Sequence, residues 1–146
     1  DEDAFMAAIP QLRKSCGDRA VLRAMHFFAE NRRAVEEKEA LEAGDFEKFL
    51  QLVRESGKSS AEYLQNVYAG ISELQQEVVL SLALAEKLAG KKGAVRVHGG
   101  GFAGTIQAFV PNEKVEAFKE GMEAVLGEGR CLILTIRPAG GAVLMK

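Results

Sequence analysis

The segment "AVRVHGGGFAGTIQAFVP", residues 94–111, decides what kind of sheet this chain forms. Two runs rich in β-branched and apolar residues, 94–98 and 105–110, flank three consecutive glycines and a fourth at Gly104. Such runs favour strands, and the glycines between them predict a turn. Glycine has no Cβ, so it adopts positive φ angles and lets other groups approach the backbone closely. The segment therefore predicts a hairpin, either with a loose loop or with a surface on which a phosphate or another backbone rests.

After the hairpin, the pattern predicts one helix and two further strands. The helix begins after Pro111 and ends at Gly127, and its apolar positions recur at helical spacing: Val115, Phe118, Met122 and Val125. The strands are expected at 130–138, "RCLILTIRP", and at 142–146, "AVLMK". Residues 94–146 thus have the order β-β-α-β-β, which indicates a mainly antiparallel four-stranded sheet.

Residues 1–93 are predicted to be mostly helical. Helices are expected at about 2–15, from an N-cap at Asp18 to Gly44, and from Asp45 to near Gly57. A short helix and a turn should follow at about 60–70. A further helix ends at Gly90 and is signalled by Ile71, Leu74, Val78, Leu82 and Ala85. The whole pattern predicts an α+β domain in which helices pack on one face of the sheet.

Length and composition narrow the class of protein. A chain of 146 residues with 47% hydrophobic and 27% charged residues suits one globular domain, residues 1–146. The formal net charge of −2 and the lack of a basic cluster argue against a nucleic-acid partner, and no apolar run is long enough to cross a membrane. With only Cys16 and Cys131 and no signal peptide, a reducing cytoplasm is expected. The chain begins "DEDAF" without an initiator Met, which favours a piece of a longer protein.

The predicted helix from Asp18 to Gly44 contains one of the two histidines, His26, which lies among apolar residues. Metal-binding histidines on helices come in pairs three or four positions apart, and His26 has no such companion. We therefore interpret His26 as structural. His98, beside the glycines, either touches phosphate or substrate or makes a hydrogen bond across the loop.

The segment "VRVHGGGFAGT" resembles the third signature motif of the GHMP kinases, and in particular that of the galactokinases. Two other segments resemble galactokinases in the same order. "RAMHFFAENRRAVEEKEALEAGDFEKFLQLVRES" is similar to a helical segment with Arg-Ala-x-His and Glu-x-x-Arg, and "RPAGGAVLMK" is similar to a C-terminal Gly-Ala-x-x-Leu strand. The resemblance spans most of residues 19–146. It implies the ferredoxin-like C-terminal domain of a GHMP kinase.

The resemblance also implies a site. In the family, the glycine-rich turn lies at the active-site cleft between two domains, close to the phosphate-binding loop. The positions of this chain that fall on that motif are Arg96, His98, Gly99, Gly100, Gly101, Phe102 and Gly104. Departures from the motif are His98 for Thr, Ala103 for Gly and Thr105 for Cys. Ser56 and Ser59 match the family's Ser-His-x-Ser-Leu, with Gly57 in place of its His.

Two family motifs have no counterpart in this chain: the sugar-binding Arg-x-Asn-Leu-Ile-Gly-Glu-His sequence and the Pro-x-x-x-Gly-Leu-Ser-Ser-Ser-Ala loop that holds the triphosphate. The resemblance therefore implies the C-terminal half of a galactokinase. The whole enzyme would use ATP and Mg²⁺ to phosphorylate the C1 hydroxyl of galactose. Catalytic residues are expected in the N-terminal half, and this chain alone is expected to hold no metal or cofactor and to be inactive.

Two alternatives stay open. The chain could be the C-terminal domain of another GHMP small-molecule kinase, although "RAMHFFAENRR" favours galactokinase. It could also be a stand-alone ligand-binding or interaction module with a ferredoxin-like fold, because a fold does not fix a function.

Overall fold

The computed structural model describes residues 1–68, 73–102 and 104–136. In these ranges the chain forms five α-helices and one antiparallel pair of strands. In chain order they are α1 (Glu2–Cys16), α2 (Asp18–Glu42), α3 (Phe46–Ser59), α4 (Glu77–Ala89), β1 (Ala94–His98), β2 (Thr105–Phe109) and α5 (Val115–Leu126). A π-helical turn at Ser60–Leu64 follows α3, and a 3₁₀ turn at Asn112–Lys114 precedes α5. The predicted α+β class is confirmed.

The first two helices form the outer part of the fold. None of the residues of α1 is buried, and Pro10 lies inside it. Arg13 and Asp18 form an ion pair across the junction, with Nε and Oδ1 2.6 Å apart. The predicted N-cap at Asp18 is wrong by one position. Gly17 is the cap, with φ +80°, and Asp18 is the first helical residue, where a carboxylate interacts favourably with the helix dipole.

Helix α3 connects the helical part to the sheet. Its N-cap is Asp45, whose Oδ1 accepts a hydrogen bond from the Lys48 amide at 2.9 Å. The apolar face of α3 packs with the end of α2 and the start of β1, and the core it forms contains Ala40, Phe49, Leu50, Leu52, Val53 and Ala94. The helix runs two residues beyond the predicted end at Gly57 and continues directly into the π-helical turn.

The hairpin lies between α3 and two other helices. β1 and β2 are antiparallel, with Val97 opposite Ile106. On one side of this pair, α4 and α5 form a second core, whose buried members are Ala85, Ala89, Val95, Phe118 and Met122. Helix α4 begins at Glu77, later than predicted. Leu74 lies before it and its side chain is 96% exposed, so burial of this side chain does not stabilise an extra turn. Ile71 is outside the described residues.

The predicted four-stranded sheet is not confirmed, because only two strands are found in the described ranges. Residues 130–136, part of the predicted third strand, form neither helix nor strand. Leu132, Leu134 and Ile136 are between 77% and 83% exposed. A strand needs a neighbouring backbone to complete its hydrogen bonds, and composition alone does not provide one. The predicted fourth strand, 142–146, lies outside the described residues.

Candidate functional site

The glycine-rich turn closes the hairpin between His98 and Thr105, which are opposite each other at the ends of β1 and β2. Gly99 and Gly101 have φ angles of +70° and +77°, a region that residues with a side chain rarely adopt. Phe102 also has a positive φ, +59°, although it carries a Cβ. Such a backbone persists only where its surroundings enforce it. Three of the described residues of the turn therefore have a backbone conformation that is unusual for residues with a side chain.

Asn66 holds one side of this turn. This residue is only 1% exposed and lies just after the π-helical turn. Its backbone oxygen accepts a hydrogen bond from the Phe102 amide, and its Nδ2 donates to the Gly100 oxygen at 3.3 Å. Two residues of the turn are thus bound to a single residue that precedes them by more than thirty positions in the chain.

The turn consequently has a closed side and an open side. A Cβ on Gly101 would lie 2.5 Å from the Asn66 backbone oxygen and 2.6 Å from its Nδ2, so only glycine fits there. A Cβ on Gly99 or Gly100 would meet no heavy atom of the described residues within 4 Å. His98 and Phe102, on either side of the glycines, are exposed. The open side is where another molecule or another part of a protein can approach the backbone.

Arg96 belongs to a separate, half-buried polar cluster. Its Nη2 lies 3.8 Å from Oε2 of Glu30 on α2. The same carboxylate forms an ion pair with Arg33 and accepts a hydrogen bond at 2.6 Å from the Ser56 hydroxyl on α3. The cluster therefore joins α2, α3 and β1, and the Arg96 side chain is engaged there rather than in the turn.

His26 lies beside this cluster. Its Nδ1 is 2.9 Å from the Ser59 hydroxyl. Partial burial lowers the pKa of His26, and the positive charges of Arg33 and Arg96 lower it further. These effects favour the neutral imidazole, which agrees with the structural role inferred from the sequence.

The structure thus brings together six of the seven predicted site residues: His98, Gly99, Gly100, Gly101, Phe102 and Gly104 lie in or beside one turn. Sequence reasoning missed Asn66, for which neither periodicity nor spacing gave a signal. It also missed the pairing of Glu30 with Arg96. The Glu-x-x-Arg pattern in "AENRR" signals the pair of Glu30 with Arg33 on the same helix, but it gives no signal for Arg96.

The described residues contain neither a group of metal ligands nor a helix that could span a membrane. Within 1–68, 73–102 and 104–136, no three His, Cys, Asp or Glu side chains come together in a way that could hold a metal ion. In the same ranges, every helix is too short or too polar to cross a lipid bilayer.

Comparison with known proteins confirms the resemblance of this chain to part of a sugar kinase. Three of its relatives are galactokinases. That of Glaesserella parasuis serovar 5 (strain SH0165) is 40% identical over 101 residues, which are 69% of this chain and 24% of that protein. Galactokinases of Actinobacillus pleuropneumoniae and of its serotype 3 (strain JL03) are each 39% identical over 97 residues, 66% of this chain and 23% of theirs. The aligned part of the chain spans about a quarter of the length of these relatives.

Two other comparisons give no match. No protein-family profile matches the chain. No solved structure matches it either.

Proposed function

We propose that residues 1–146 are a single domain, the C-terminal domain of a galactokinase. The observation that carries this proposal is the 40% identity over 101 residues to a galactokinase of which the match covers only a quarter. The order of the three family-like segments along the chain supports the C-terminal position. A ferredoxin-like sheet that gains its two further strands in the full-length enzyme is part of the same proposal.

The full-length enzyme, in this proposal, transfers the γ-phosphate of ATP to the C1 hydroxyl of galactose with the help of Mg²⁺, in the cytoplasm. The glycine-rich turn forms one wall of the cleft. The open space beside Gly99 and Gly100 supports this role, because a bare backbone allows close approach of a substrate or of the facing domain. His98 and Phe102 border the same wall. Arg96, on the strand that leads into the turn, stabilises it through its ion pair with Glu30 on α2.

The chain by itself is proposed to be inactive. Phosphoryl transfer depends on positioning and on neutralising the charge around the γ-phosphate and its metal ion. The motifs that bind the sugar and the triphosphate are absent from this sequence. The N-terminal half of the enzyme would therefore supply the residues that bind ATP, Mg²⁺ and galactose.

A coupled assay of ADP release tests this proposal. It is run with ATP, Mg²⁺ and galactose on three samples: this chain, this chain mixed with a separately expressed N-terminal half, and the full-length gene product. We expect turnover by the full-length protein, none by the chain alone, and partial recovery in the mixture.

Each other outcome contradicts a different part of the proposal. Turnover by the chain alone would show that the chemistry does not reside in the missing half. A full-length protein that is silent with galactose but active with another small alcohol, such as homoserine or mevalonate, would identify a different kinase of the same superfamily. Silence with every phosphoryl acceptor would favour a binding module.

A further inference from the structure

We propose that Asn66 is a positioning residue for the catalytic cleft: it fixes the conformation of the glycine-rich turn, so that the open side of the turn faces the substrates. This inference rests on the proposed function, because it assumes that the turn lines the cleft. The contact itself, between Asn66 and residues 100–102, is independent of that assumption.

Asn66 is attached to the turn by two hydrogen bonds. Asn66 binds the turn through both its backbone oxygen, to the Phe102 amide, and its side-chain Nδ2, to the Gly100 oxygen. One hydrogen bond leaves a loop free to rotate about it, whereas two from a buried residue fix both position and orientation. The space that a Cβ at Gly101 would need is filled by Asn66. The two segments therefore fit each other closely.

The backbone is unusual on both sides of the contact between Asn66 and the turn. The chain passes from α-helix into a π-helical turn at Ser60–Leu64, and Gln65 then adopts a left-handed conformation with φ +57°. Across the contact, Phe102 is left-handed as well. Gln65 and Phe102 are the two non-glycine residues with positive φ in the described ranges, and both are next to this contact. Strained backbone and π-helical turns are both concentrated at functional sites.

The side-chain oxygen of Asn66, Oδ1, is buried without a hydrogen-bond partner among the described residues. A buried polar atom without a partner is unfavourable, and an apolar side chain of similar size would avoid it. Packing alone therefore does not explain an asparagine at this position. The Nδ2 donor to Gly100 does.

In the proposed cleft, Asn66 would align the turn with the substrates. On the open side of the turn, a Cβ at Gly99 or Gly100 would have no neighbour among the described residues within 4 Å, so the contacts that position the turn come from its closed side and from the strands. A displacement of about 1 Å at a catalytic site can lower the rate roughly a hundredfold. Asn66 thus acts on the reaction through the turn, without touching the substrate.

The test uses the full-length gene product with Asn66→Asp and, as a matched control, Asn112→Asp. Asparagine and aspartate have nearly the same shape, but the carboxylate has no N–H to donate and repels the Gly100 oxygen. Asn112 is exposed in the 3₁₀ turn before α5, so its replacement introduces the same charge away from the contact. Two readouts are taken: amide hydrogen exchange, and kcat and KM with galactose and ATP.

We expect exchange of the Phe102 amide, which donates to the Asn66 backbone oxygen, to speed up about tenfold or more in Asn66→Asp, while exchange in α3 stays unchanged. We expect kcat/KM to fall about tenfold or more, mostly through kcat, because alignment rather than binding is lost. Asn112→Asp should change neither. A role confined to stability would lower the melting temperature and leave kcat of the folded enzyme intact.

The inference is overturned if exchange at Phe102 is the same in the two variants, or if that exchange rises while kcat stays at the wild-type value. Failure of the proposed function looks different, because the wild-type protein would then not phosphorylate galactose at all. In that case the exchange measurement alone decides whether Asn66 holds the turn, and the assignment of the turn to a catalytic cleft is withdrawn.

Discussion

Gly100 and Gly101 are neighbours in the chain, yet the structure gives them opposite environments. A side chain on Gly101 would collide with Asn66 and would require a positive φ, +77°. A Cβ on Gly100 would meet no heavy atom of the described residues within 4 Å, and the φ of Gly100 is not in that region. The run of glycines that dominates the sequence therefore combines a position required by packing with a position that leaves a surface bare.

We expect Gly101→Ala to destabilise the chain and Gly100→Ala to leave its stability nearly unchanged. The positive φ alone should cost Gly101→Ala about 1–3 kcal/mol, and the clash with Asn66 adds to this. The Gly100 variant should stay within about 0.5 kcal/mol of wild type. Urea unfolding of the two variants measures the difference. Equal effects at the two positions would contradict the closed and open sides of the turn.

His26 makes stability depend on pH in a definite direction. Its pKa is lowered in the folded chain, first by burial and then by Arg33 and Arg96, so the folded state binds fewer protons than the unfolded state. The free energy of unfolding should therefore decrease as the pH falls below about 6.5, the usual pKa of histidine. It should stop decreasing, as far as His26 is concerned, once the pH is below the lowered pKa.

The variant His26→Gln should lack this contribution, and its unfolding free energy should depend less on pH between about 7 and 5. His98→Gln is the matched control, because His98 is the other histidine of the chain and is exposed. Thermal or urea unfolding across this pH range gives the comparison. The same reduction in both variants would show that burial of His26 is not the cause.

Helix α3 joins the polar cluster, the apolar core and the turn. It contributes Ser56 to the Glu30 cluster and four apolar side chains to the core, and its C-terminal end leads into the π-helical turn before Asn66. The first turn of α3 is fixed by Asp45, whose side chain accepts from the Lys48 amide. Loss of this cap should weaken all three features together.

We expect Asp45→Ala to lower the unfolding free energy by about 1 kcal/mol, since alanine leaves the Lys48 amide without its side-chain acceptor. Asp45→Asn keeps an oxygen in the same place and should differ from wild type by only a few tenths of a kcal/mol. Chemical denaturation with both variants distinguishes the lost hydrogen bond from the lost charge. Equal losses would assign the effect to the charge.

The elements predicted correctly are those with local causes. Gly44, Gly90 and Gly127 lie just past helix ends with positive φ, and a glycine after a periodic apolar run predicts this from a few neighbouring residues. The strand at 130–138 was predicted from composition, but pairing depends on a distant backbone that composition does not specify. Asn66 was not predicted because its role arises only when the helical part and the hairpin come together.

Several apolar side chains are exposed to solvent near the end of the described part of the chain. Leu132, Leu134 and Ile136 are exposed, although the sequence before them packs on α5 through Cys131. Exposed apolar segments with high β-propensity favour association between chains. For the chain by itself, this segment is the expected source of self-association.

The triple variant Leu132→Thr, Leu134→Thr and Ile136→Thr should therefore associate less than wild type at the same concentration, as measured by sedimentation velocity. Because these side chains are exposed, each substitution should change the unfolding free energy by no more than about 0.5 kcal/mol. A loss of several kcal/mol would show that the segment is part of the core. Unchanged association would exclude it as the contact surface.

The distance along the chain between Asn66 and the turn also bears on the order in which the protein folds. β1 and β2 are adjacent in sequence, so their pairing closes only a short loop. The contact of Asn66 with Gly100 spans 34 residues, so it closes a much longer loop than the hairpin does. We expect the hairpin to form early and its glycines to reach their final conformation last. A peptide with the sequence of residues 94–111 would then populate the hairpin only weakly, because two strands alone are marginally stable in water, and it would lack the fixed shape of the turn.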